Sequence, residues 1–130
     1  MPKAEKVSIL DKINSTIFFP NRKPDTPPEE MNETFCTLSE YRNGGIYAGQ
    51  YAGNSEWERH PHGDEIVMVV DGMANLILLI DGHEKRIKLN KLEFAVVPEN
   101  TWHRFEVPEG VKIMVVTPQP TDHQIEKPIS

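Results

Sequence analysis

Between Thr34 and Thr117 the chain is cut into short apolar runs by residues that force turns, and this spacing constrains the fold most. The breaks are Asn43-Gly44-Gly45, Asp71-Gly72, Asp81-Gly82, Pro98-Glu99-Asn100-Thr101 and Pro108-Glu109-Gly110. Asn-Gly and Asp-Gly tolerate the positive φ that tight hairpins demand. The runs between them are rich in Val, Ile, Leu, Phe and Tyr and show no sustained helical period. Strands are predicted over 34–41, 46–52, 65–70, 73–80, 83–89, 92–97, 103–107 and 111–117. Glu65 to Leu89 reads as a meander with both Asp-Gly pairs as its hairpins. Short strands at this spacing specify an all-β class, an antiparallel sandwich or barrel.

The 130 residues suit one domain. The predicted organisation is an N-terminal arm with a proline-rich loop over 1–33, a β-barrel over 34–118 and a polar, frayed tail over 119–130. Ile13 to Phe19 is expected to be a short strand or one helical turn. Pro20, Pro24, Pro27 and Pro28 break any regular ladder after it. Such an arm is expected to be partly ordered, solvated or draped over a neighbouring subunit.

The chain carries 14 basic and 20 acidic residues, a net charge of −6. An acidic chain is poorly suited to phosphate backbones, so no nucleic-acid partner is expected. Neither a secretory leader nor a membrane span is apparent, and a cytoplasmic protein is expected. The single cysteine, Cys36, cannot form an intramolecular disulfide and reads as a small buried hydrophobe.

Chemistry concentrates in Glu58-Arg59-His60-Pro61-His62-Gly63-Asp64-Glu65, with His103 behind the Pro98 corner. Alternation along an extended segment puts Glu56, Glu58, His60 and His62 on one face. Trp57, Arg59 and Pro61 take the other. Gly63-Asp64 interrupts the alternation, so Glu65 can return to the first face. His103, opening a later strand, can meet the group from across a barrel. Imidazoles and carboxylates from separated strands are what a mononuclear metal site requires. His83 and His123 are not expected to be ligands. Arg59 and Arg104 are predicted to point away from the cavity, and Trp102 is a candidate for its rim.

These residues resemble the motifs of the cupin superfamily. Its first motif has two histidines with one residue between them, then a glutamate, then a glycine after six intervening residues. Here that reads His60-Pro61-His62, Glu65 and Gly72. Its second motif has a glycine, a proline, a turn glycine and a histidine. Here Leu92, Pro98, Asn100 and His103 fill those places. His62 and Glu65 lie one residue closer than the family spacing, so two registers stand: His60, His62, Glu65, His103, or Glu58, His60, Glu65, His103.

The resemblance implies a jelly-roll barrel (a double-stranded β-helix) and a homodimer. It also implies a divalent ion, iron, manganese, nickel or zinc, held by His60, His62, Glu65 and His103. Glu65 would be a ligand or a catalytic general base. The function implied is that of a metal-dependent oxygenase or isomerase acting on a small organic molecule. The alternative is a non-catalytic small-ligand-binding or metal-free cupin.

Overall fold

The computed structural model describes residues 2–129. Helix α1 (Ile9–Asn14) and strand β1 (Phe19–Arg22) form the arm, and a 3-10 turn (Pro28–Met31) leads out of it. The barrel strands are β2 (Phe35–Tyr41), β3 (Gly44–Asn54), β4 (Trp57–Arg59), β5 (Glu65–Gly72), β6 (Ala74–Ile80), β7 (His83–Leu89), β8 (Phe94–Val97) and β9 (His103–Pro118). A last strand, β10 (Asp122–Gln124), pairs antiparallel with β4.

Two half-sheets share β9. Its C-terminal half lies between β3 and β5, and its N-terminal half pairs with β6 and β4. Two strands are expected in this segment; it forms one of 16 residues. Pro108-Glu109-Gly110 is the reason. Val107 pairs with Gly53 and Val111 with Tyr51, so the three residues between bulge out while the strand passes from one half to the other.

The meander is half right. Asp81 (φ 51°) and Gly82 (φ 78°) close a hairpin in which Ile80 faces His83. Asp71-Gly72 does not: β5 pairs with β8 and β9, and β6 pairs with β7 and β9. Gly72 (φ 82°) instead sits against the β9 bulge, where an added Cβ would lie 2.4 Å from the Gly110 carbonyl oxygen. The chain therefore crosses between halves at this corner. In the first hairpin Tyr41 faces Gly44, so the loop is Arg42-Asn43, with Arg42 at positive φ.

Alternation sorts the strands into an interior and two outer faces. Tyr51, Val67, Leu76, Phe105, Val107 and Ile113 belong to the central core. Trp57, Ile77, Leu79 and Trp102 pack on the outside of one half. Trp102 is thus an outer-cluster residue rather than a rim residue. The outside of the other half is covered by α1, whose Ile13 packs with Ala48 and Val70. Cys36 is half-buried at the edge of that cluster.

The arm is therefore folded onto its own barrel. The Ser8 hydroxyl caps α1 by accepting from the Asp11 amide at 3.4 Å. The Gln50 side-chain amide donates to the Ile13 and Thr16 carbonyls at 3.0 and 3.1 Å, satisfying the helix end. Beyond α1 the outer face is bare among the described residues. Ile66, Val96 and Phe94 are 39, 50 and 62% exposed, and among the described residues β8 pairs on one side only.

Ile13 is fully buried. Ile13→Ala is expected to cost about 2–5 kcal/mol, read from the midpoint and slope of urea unfolding. A cost under about 0.5 kcal/mol, the level of an ordinary surface change, would show that the arm does not pack on the barrel.

Candidate metal centre

Glu58, His60, Glu65 and His103 converge at one end of the barrel. Glu58 in β4 faces His103 at the start of β9 across a strand pairing, which sets the two side chains side by side. His60 follows on the same face as Glu58. Its carbonyl accepts from the Asn100 amide at 2.9 Å. The Asp64 carboxylate accepts from the Glu99 amide at 2.7 Å. These two bonds pin the His60–Glu65 loop to the Pro98 corner. Asn100 holds that corner at φ 60°, a left-handed conformation that asparagine tolerates.

One ligand atom from each of the four residues lies within 4.8 Å of the other three. His62 does not join them. It is exposed on the turn between β4 and β5, where Pro61-His62-Gly63 leaves the extended path and ends the alternation. The structure brings together the register with Glu58, not the one with His62. His83 lies exposed on β7. His123 lines the cavity mouth and pairs with Glu56 at 2.8 Å.

The hydrogen bonds fix both imidazole tautomers. His103 Nδ1 lies 2.9 Å from the Thr101 carbonyl, so it carries a proton and donates. Its Nε2 then faces Glu65 Oε1 at 3.0 Å and Glu58 Oε1 at 3.3 Å. His60 Nδ1 lies 2.9 Å from the Thr121 hydroxyl, which itself donates to Gln119 Oε1 at 3.1 Å. With its proton given to Gln119, Thr121 accepts from His60 Nδ1–H. In that neutral tautomer His60 Nε2 carries the lone pair, 3.2 Å from Glu65 Oε2. Among the described residues it is the buried side-chain nitrogen or oxygen with no hydrogen-bond partner.

Glu65 is 2% exposed and fully engaged. Besides the imidazoles, its Oε2 accepts from the Thr117 hydroxyl at 2.6 Å. Burial alone would push its pKa up, but the hydrogen bond from His103, with the His60 ring beside it, holds it well below the usual carboxylate range. Burial likewise disfavours a charged His103. Hydrogen bonds to Glu58 and Glu65 overcome that and raise it to about 10. At neutral pH, without a metal, a proton on His103 Nε2 thus bridges the two carboxylates.

The centre opens into a cavity of about 660 Å³. Its wall includes Phe35, Tyr51, Phe105, Ile113 and Val115, with Arg22 from the arm. Gly49 makes room for Phe35, because a Cβ there would lie 2.3 Å from the ring. The predicted outward course of Arg59 and Arg104 holds. Arg59 pairs with Asp122 at 2.9 Å and lies over Trp102; Arg104 pairs with Glu106 at 2.6 Å and lies over Trp57. Sequence reasoning missed Arg22, Thr117 and Thr121. Only Thr117, in step with Val115 and Ile113 on the inner face of β9, carried a signal.

No curated protein matches the sequence. Among solved structures, the chain is similar to a cupin-2 domain containing protein from Shewanella frigidimarina at 23% identity, TM-score 0.57, covering 66% of this chain and 80% of that one. It is similar to a conserved protein of unknown function from Streptococcus pyogenes at 14% identity, TM-score 0.62, covering 92% and 91%. It is also similar to a hydroquinone 1,2-dioxygenase from Sphingomonas sp. TTNP3 with 4-hydroxybenzoate bound, at 18% identity, TM-score 0.56, covering 68% and 65%. At these identities the likeness is one of fold. The cupin domain profile matches residues 49–117, from β3 through nearly all of β9, more than half of the chain. With both motif regions and strands β4 to β8 inside that span, the chain belongs to the cupin domain family.

Proposed function

We propose that this protein holds one divalent metal ion through Glu58, His60, Glu65 and His103 and uses it on a small organic molecule bound in the adjoining cavity. The observation that carries this reading is the orphaned His60 Nε2. A buried ring nitrogen with no hydrogen-bond partner, within 4.8 Å of three other ligand atoms, is costly without a cation and favourable with one.

A bound ion would polarise an oxygen donor of the substrate and hold it in place. Two imidazoles and two carboxylates suit iron, manganese, nickel and zinc alike. The surrounding residues set the stage. The Thr101 carbonyl and the Thr121 hydroxyl orient the imidazoles, and Thr117 orients Glu65. The apolar part of the wall receives the carbon body of a small molecule. Glu65 has both oxygens occupied, whereas Glu58 is 20% exposed and faces the cavity. The general-base role expected of Glu65 therefore suits the second oxygen of Glu58, the one that does not face His103. Oxygenation or isomerisation is the reaction class we favour, in keeping with the dioxygenase among the similar folds.

One observation favours a metal-free cupin instead: a protonated His103 already stands between the two carboxylates, 3.0 Å from Glu65 and 3.3 Å from Glu58. Metal content separates the two readings. Protein purified without a histidine tag is expected to carry about one ion per chain. Glu58→Gln and His103→Ala lower the metal content at least about tenfold, and His62→Ala leaves it unchanged. Elemental analysis reads this directly. A wild type without metal, or loss on His62→Ala but not on Glu58→Gln, would sink the assignment.

A cytoplasmic homodimer completes the proposal. The bare strip of Ile66, Val96 and Phe94, next to the open edge of β8, suits a second copy of the chain. Light scattering is expected to give a dimer for the wild type and a monomer for Phe94→Asp. A wild-type monomer at micromolar concentration would contradict it.

A further inference from the structure

Arg22 is the only lysine or arginine among the described residues that line the cavity. It ends β1, an arm strand lying parallel to β3 through the pairs Phe19–Tyr51 and Arg22–Gly53. Gly53 (φ 110°) permits that approach, since a Cβ there would lie 2.1 Å from the Arg22 carbonyl oxygen. The guanidinium carbon stands 4.7 Å from the centre of the Tyr51 ring and 5.5 Å from that of Phe35. Ring faces support a cation without neutralising it. Burial pushes the Tyr51 phenol up, against the pull of Arg22, so the phenol stays neutral and supplies no counter-charge. Among the described residues no aspartate or glutamate forms an ion pair with Arg22. The other cavity-facing charges, Glu58 and Glu65, are committed to the imidazoles.

We infer that Arg22 anchors a carboxylate of the bound molecule, and that the natural ligand is a small organic acid with an apolar, ring-sized body. A guanidinium fork matches a carboxylate with two parallel hydrogen bonds. The body of such an acid fits between Phe35, Tyr51, Phe105 and Ile113. The cavity volume falls in the range that encloses one small molecule. The inference deepens the proposed function, on which it rests only for what lies at the metal end.

The test is calorimetric titration with benzoate and phenylacetate, each against its neutral amide, on wild type, Arg22→Gln and Arg22→Lys. The acids are expected to bind the wild type at least about tenfold more tightly than the amides. Arg22→Gln abolishes that preference and Arg22→Lys restores part of it. Thermal unfolding checks that each variant is folded; a purely structural Arg22 would shift that midpoint without changing the acid-to-amide ratio. Equal binding of acids and amides by the wild type, no detectable binding of either, or a preference that survives Arg22→Gln would overturn the inference. Metal content is measured on the same samples. An Arg22-dependent preference in protein that never holds metal would overturn only the metal reading. Metal without the preference would overturn only this one.

Discussion

The polar end of this barrel is organised by one constraint: the Glu65 carboxylate is buried and ionised. An isolated charge there would cost several kcal/mol, so each oxygen needs a partner. His103 serves Oε1 and the Thr117 hydroxyl serves Oε2. His60 stands over Oε2 without completing a hydrogen bond. Glu58 adds a second negative group beside His103. The centre thus has more acceptors than donors, which a single proton on His103 offsets in part and a divalent ion would offset fully.

Strand β9 makes this possible. Its first residue, His103, and its penultimate residue, Thr117, bond to the same carboxylate. Laid straight, the strand would separate them by roughly 45 Å. The bulge at Pro108-Glu109-Gly110 lets it curl, so that its two ends close on Glu65 from different halves of the barrel. The same bulge seats Gly72, where the chain crosses between halves. Barrel closure and site assembly are one geometric event.

Much of this was legible in the residues. Strand positions follow from apolar runs and turn residues, because both act locally. Asn100 takes the left-handed turn expected of it. Leu92, standing where the family motif has a glycine, keeps that backbone at φ 63° with its side chain exposed. His60, Glu65 and His103 were legible as a group, and Glu58 as one of two registers. What was hidden depends on contacts remote in sequence. Asp71-Gly72 looks like a hairpin locally, yet the strands beside β5 and β6 decide otherwise. His62 fits simple alternation until the turn at Pro61 ends it. The tail looked frayed, yet Thr121 fixes the His60 tautomer and β10 pairs with β4. Arg22 lay in a proline-rich arm with nothing nearby to show that β1 would lie alongside β3.

The central claim is that a proton on His103 and a metal ion compete for one position between the carboxylates. Its most direct test is the pH dependence of metal affinity, measured by competition with a chelator of known affinity between about pH 7 and 9. With His103 titrating near 10 in the metal-free protein, each ion bound must displace that proton. Apparent affinity is then expected to rise about tenfold per pH unit, with about one proton released per ion. An affinity independent of pH across that range would mean that His103 Nε2 carries no proton to displace, and would contradict the account.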